Sequence, residues 1–178
     1  VGADYEHRGD VLDESIDVLA AALTDEVPEV TTPRFAVSGV AIAPRPAQQP
    51  RPPIWVGGSS KRALRRAAER GDGWLPQGTP RDEMPAALAD LREHRQAVRG
   101  DDPIEITAMT EPLYVGEATW DVGSRALTGE PETIAKSLRE FRDLGVANVM
   151  VAFRVRSCDE LDDQIRAFAA GVAPLLND

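Results

Sequence analysis

The sequence predicts an α/β fold with a parallel sheet, and three observations carry that reading. Short apolar runs at 54–56, 73–75, 104–110 and 147–153 alternate with helical patterns, a strand–helix repeat taken four times. The run at 54–56 is short and wholly apolar, as a buried strand is, whereas the run from Ile104 alternates in polarity imperfectly. The clearest unit, residues 53–76, is a strand, a sharp turn, one basic helix and a second strand, a connection that makes its strands parallel.

In that unit, Ile54-Trp55-Val56 is fenced by Pro52 and Pro53 before it and Gly57 and Gly58 after it. Ser59 and Ser60 are good helix caps. Lys61 to Arg70 then places Ala63, Leu64, Ala67 and Ala68 on one helical face. Gly71 ends the helix, and Asp72-Gly73 turns the chain into Trp74-Leu75.

Around it, residues 10–23 set Leu12, Ile16, Leu19 and Leu23 on one helical stripe with acids in the first turn. Residues 24–53 hold prolines at 28, 33, 44, 46, 50, 52 and 53, which predicts an extended excursion with short strands at most near 34–37 and 40–43. A helix over 80–98 follows, through Met84, Leu88, Leu91 and Val98, and then a strand from Ile104. Pro112 cannot donate to a ladder, so regular pairing ends near Thr110. Residues 121–128 show no period. Pro131 opens a helix carrying Ile134, Leu138, Phe141 and Leu144, Gly145 stops it, and Asp159 is expected to cap a closing helix through Leu161, Ile165, Phe168 and Val172.

Composition bounds the function. With 178 residues and 42% hydrophobic content, the chain can bury a core and is expected to be one domain, 1–178, with 24–53 as an insertion within it. Thirty acidic residues against twenty basic ones, a net charge of -10, disfavour nucleic acid and anionic membranes as partners. No run is long and apolar enough to span a bilayer, and no signal segment opens the sequence. One cysteine, Cys158, excludes an internal disulfide framework and fits a reducing cytoplasm. His7 and His94 lack companions at ligand spacing, so no metal site is expected.

The chemistry lies in the turn after the first strand of the unit. N–H groups freed by Gly57 and Gly58, the hydroxyls of Ser59 and Ser60, and the positive end of a helix all suit a phosphate or another anion, with Arg65 as a further contact. The same residues also make a tight capped turn without any ligand, and Arg65 equally suits a solvated helix face. The other strand ends, at 76–79, 109–111 and 154–157, offer Glu111, Arg154 and Arg156, each equally at home in solvent. Asp72 is read as fixing its turn, and Trp55 and Trp74 as core.

Pro52-Pro53-Ile54-Trp55-Val56-Gly57-Gly58-Ser59-Ser60, the Ala/Arg helix and Gly71-Asp72-Gly73-Trp74-Leu75-Pro76 together resemble the luciferase-like monooxygenase superfamily, in particular its coenzyme F420-dependent branch. Tyr5 to Leu23 resembles the family's Arg-Gly-x-x-x-Asp-Glu helix, and Pro33-Arg34-Phe35 with Pro44-Arg45-Pro46 resembles its excursion before the fifth barrel strand. Leu127 to Glu132 and Leu144-Gly145-Val146 resemble its last helix and strand.

The resemblance implies a (β/α)8 barrel of which these four strands are the fifth to eighth, since a whole barrel needs about 250 residues. It implies a flavin-type cofactor, coenzyme F420 by preference or FMN, that moves hydride or oxygen to a small organic substrate, with the protein placing ring and phosphate. Residues contacting the reactive ring come largely from the first half, so the catalytic residues are not assigned. The chain is then an oxidoreductase once a barrel is completed, by a missing amino-terminal half or by a second copy, because open edges and an apolar inner face need cover. The alternative is a non-catalytic half-barrel serving as an assembly or binding module.

Overall fold

A computed structural model describes residues 5–176. The chain divides into two compact units, one holding residues up to Trp74 with Ala87–Ile104, the other Leu75–Ala86 and the chain from Glu105 on. The four expected strands are all present.

In the first unit, helix α1 (Arg8–Thr24) leads through a two-stranded antiparallel ribbon, β1 (Val30–Thr31) with β2 (Ala36–Val37), to strand β3 (Trp55–Gly57), helix α2 (Lys61–Arg70) and strand β4 (Gly73–Leu75). β3 and β4 are neighbours in one sheet. The expected strand at 40–43 does not form; the ribbon draws on Val30 and Thr31 instead. Ala63, Leu64, Ala67 and Ala68 are all buried, as the helical period requires, together with Val56, Trp74, Leu88 and Leu91. Gly73 lets Trp55 close on β4: a Cβ there would lie 2.7 Å from the indole ring.

Helix α1 departs from its expected packing. Leu12 and Leu19 of the apolar stripe are exposed, and Ile16 is buried. The helix is held to α2 instead by a ladder of ion pairs, Asp10 with Arg62, Asp13 with Arg66 and Asp17 with Arg70, and Arg66 also donates to the Gly9 carbonyl at 3.0 Å. A Cβ at Gly9 would overlap the Arg62 guanidinium. Arg45, from the proline-rich excursion, donates to the carbonyls of Ala22, Leu23, Thr24 and Asp25, satisfying the open carbonyl end of α1.

Helix α3 (Met84–Arg99) leads to strand β5 (Glu105–Met109) of the second unit. β5 pairs in parallel with β8 (Asn148–Met150), setting Thr107 opposite Asn148, Ala108 opposite Val149 and Met109 opposite Met150. Strand β8 is shorter than the apolar run suggested; beyond it, Leu113 exchanges bonds with the Ala152 carbonyl and the Arg154 N–H. Two strands are not expected: β6 (Leu113–Val115), beyond the expected end of pairing near Thr110 where a loop is expected, and β7 (Leu127–Gly129), in the aperiodic stretch before Pro131, which pair in parallel with each other. Helix α4 (Pro131–Asp143) buries Ile134, Ala135, Leu138 and Phe141, and Gly145 leaves it at φ +83°. Helix α5 (Cys158–Ala167) is capped by Ser157, whose hydroxyl accepts from Glu160 N–H at 3.1 Å. Asp159 lies inside the first turn, where it faces the helix dipole rather than capping.

Candidate functional site

The turn after β3 is fixed at both of its ends. Trp74 is fully buried, and its indole N–H donates to the Gly58 carbonyl at 2.8 Å. Because the peptide is planar and trans, tying that carbonyl inward points the Ser59 N–H the opposite way. Gly58 holds φ +111°, which L side chains rarely adopt, and a Cβ there would meet the Ala63 methyl at 3.1 Å. Ser60 is the cap of α2: its hydroxyl accepts from Ala63 N–H at 3.2 Å and its carbonyl from Leu64 N–H at 3.0 Å.

Charge at this helix start favours an anion. The first turn of α2 contains no acidic residue and begins Lys61-Arg62; Asp10 of α1 pairs with Arg62, which leaves Lys61 and the positive end of the dipole, where an anion gains about 0.3–1 kcal/mol at an exposed site. Gly57 and Ser60 are exposed; Gly58 and Ser59 are half-buried. Arg65 is exposed too, but it lines a separate polar groove with Asp13, Lys61, Arg62, Arg66, Glu69 and Arg70, which includes none of residues 57–60. The structure brings the four turn residues together and sets Arg65 among the charges of the α1–α2 ladder.

The opposite end of the unit is braced by two groups. Asp72 accepts from the Ile54 N–H at 2.7 Å and from Arg51, while its own N–H donates to the Ile54 carbonyl at 2.8 Å. Burial pushes its carboxyl upward, but the bonds from Arg51 and Ile54 outweigh it and hold the group below its usual range. Asp72 thus fixes a turn. Arg95, only 4% exposed, donates to the carbonyls of Ala68 (3.0 Å), Gly71 (2.7 Å), Asp102 (3.1 Å) and Pro103 (2.8 Å).

In the second unit, Glu111 is not merely solvated. It takes two bonds from Arg81, at 3.2 and 2.8 Å, and Arg81 also reaches Glu140 and the Ser137 carbonyl, each at 2.9 Å, with its guanidinium 4.2 Å from the centre of the Phe141 ring. Arg156 is engaged by Glu160, and Arg154 is exposed. No signal in the sequence marked Arg81 or Arg95: each is one basic residue within a polar pattern, and its role appears only where the chain folds acceptors around it. Among the described residues no group of His, Cys, Asp and Glu is arranged to hold a metal.

Residues 1–119 match the sequence model of the family described as luciferase-like monooxygenase. Uncharacterized proteins of Mycobacterium bovis and Mycobacterium tuberculosis are 27% identical over 155 residues, covering 87% of this chain and 46% of theirs. The chain therefore spans about half the length of the curated relatives it matches. Among solved structures, an F420-dependent secondary alcohol dehydrogenase in complex with an F420-acetone adduct is similar at TM-score 0.81 and 12% identity, over 100% of this chain and 64% of that one. Long-chain alkane monooxygenase is similar at 0.71 and 16%, over 98% and 57%. Coenzyme F420-dependent tetrahydromethanopterin reductase from Methanopyrus kandleri is similar at 0.67 and 14%, over 93% and 61%. At such identities the likeness shows the fold, an α/β fold with parallel strands shared with part of each of these luciferase-like barrels.

Proposed function

We propose that this chain, which belongs to the luciferase-like monooxygenase family, supplies the second half of the barrel of a flavin- or deazaflavin-dependent oxidoreductase acting on a small organic substrate. The observation that carries the site is the turn at Gly57, Gly58, Ser59 and Ser60: a glycine that no side chain can replace without strain, a carbonyl tied inward, and a cationic helix start with no acid in its first turn. These features fit the phosphate of the cofactor. Gly57 and Gly58 admit close approach, Ser59 and Ser60 donate, and the helix start neutralises charge. Arg65 remains a candidate second contact only if its side chain swings from the groove it now lines. The bound cofactor would supply the redox chemistry; the chain positions it.

Coenzyme F420 is preferred to FMN because the wording of residues 52–76 resembles that branch, and the likeness to an F420-dependent dehydrogenase is in keeping with it. The chain acts here as one partial-barrel domain, completed by an amino-terminal half or a second copy. Met109 and Met150, neighbours across β5 and β8 and both about half exposed, belong to the apolar surface that such a completion would cover. No helix among the described residues is long and apolar enough to cross a membrane. The exposed thiol of Cys158 suits the reducing cytoplasm.

The test is titration of the completed barrel with F420 and with FMN, followed by absorbance and fluorescence. Saturable binding, tighter for F420, is the expected result. Failure of both cofactors to bind would leave the chain as a non-catalytic assembly or binding module.

A further inference from the structure

The second unit contains a cleft of about 520 Å³, within the range of small-molecule sites, that the cofactor reading does not use. It opens beyond the carboxyl ends of β4 and β5. Met84, Ala108 and Phe141 give it an apolar wall, while Arg81, Glu111 and Arg125 give it charge, two guanidiniums against one carboxylate. Arg81 is spent on Glu111 and Glu140. Arg125 is exposed on the cleft wall and forms no ion pair with a described residue.

Two further wall residues have polarity that the fold does not use. The hydroxyls of Thr79 and Thr110 are buried without a hydrogen-bond partner, and Thr110 as a residue is only 7% exposed. Native interiors satisfy nearly all such groups, so two in one wall call for a partner that the fold does not supply.

We propose that this cleft binds a small organic carboxylate, its apolar body against Met84, Ala108 and Phe141 and its carboxylate on the Arg125 guanidinium. The planar guanidinium matches a carboxylate in two parallel bonds, and the apolar wall excludes a bare inorganic anion as the preferred ligand. The lining of the cleft includes none of residues 57–60.

The test uses the full chain and benzoate as the probe, by calorimetry or by NMR titration, with benzyl alcohol and acetate as the neutral and the bodiless analogues. Saturable benzoate binding is expected, weakened about tenfold or more by Arg125→Gln, the worth of a charge-assisted hydrogen bond. Both analogues should bind at least about tenfold more weakly than benzoate, by the same scale. Glu111→Gln, which removes the one negative charge of the wall, should tighten benzoate rather than weaken it. Circular dichroism would verify that each variant is folded; Arg125 is exposed, so its loss spares the core. No saturable binding, an affinity unmoved by Arg125→Gln, or equal binding of benzyl alcohol would overturn the assignment.

Discussion

Replacing Arg95 by Met keeps most of the side-chain volume in the core but removes four donors at once. Two of its bonds, to the carbonyls of Ala68 and Gly71, are fully buried, and the Ala68 carbonyl belongs to the open end of α2. Each buried acceptor left without a donor costs about 1–3 kcal/mol, so these two alone predict a loss of about 2–6 kcal/mol. The bonds to Asp102 and Pro103 are only partly buried and add less, because water replaces the donor. Burial holds the guanidinium pKa below its usual value, so part of this gain already offsets the cost of burying the charge. The comparison is Arg99→Met, whose partner Asp102 sits 2.7 Å away at a half-exposed site worth about 0–1 kcal/mol. Urea unfolding of the chain measures both. Equal losses for the two variants would refute the view that Arg95 clamps the far end of the strand–helix–strand unit.

Two more predictions follow from single groups. Hydrogen bonds from the Arg156 side chain outweigh burial and, with bonds from Arg156 N–H and Trp120, lower Glu160 from 4.5 to about 2. A folded-state pKa below the unfolded one stabilises at neutral pH, and that contribution fades as pH falls from about 4.5 through about 2. The gap in urea midpoint between the native chain and Glu160→Gln should therefore be constant above pH 5 or so and close on acidification; parallel curves over the whole range would contradict it. Thr107, 5% exposed on β5, buries a hydroxyl with no partner. The isosteric Thr107→Val should raise stability by about 1 kcal/mol, read as a higher midpoint, and a lowered one would show that the hydroxyl is bonded in solution.

Local chemistry was the legible part. Ser60, the Ala63–Ala68 face and Gly71 delimit α2 in sequence as they do in structure, although Gly71 works by close approach and not by positive φ: its φ is −86°, and a Cβ would sit 2.9 Å from the Ala67 carbonyl. Pairing between distant segments was not legible. Leu127-Thr128-Gly129 has no period of its own and becomes a strand because Leu113–Val115 lies beside it. Ser157 and Asp159 are both good caps, and only the backbone conformation at Ser157, φ −147° and ψ 167°, decides between them. The same holds for α1, whose leucine stripe promised apolar packing while its aspartates, at 10, 13 and 17, hold it to α2.

In the turn after β3, the glycines and serines were legible as a tight turn and a helix cap because that geometry is local. Arg65 was placed with them by sequence proximity, but the helix turns it toward the groove beside α1. The Arg81–Glu111 pair joins residues thirty positions apart, a distance no local pattern bridges.

The account's central claim is that the turn from Gly57 to Ser60 holds a cofactor phosphate, and the most direct measurement compares FMN with riboflavin, which has the same ring and no phosphate. Both would be titrated into the completed barrel, native and with Gly58→Val together with Ser60→Ala. The account predicts that the variant loses FMN affinity by about tenfold or more while riboflavin affinity holds, since only the phosphate contacts are removed. An unchanged FMN affinity, or an equal loss for both ligands, would mean that these residues only turn and cap the chain.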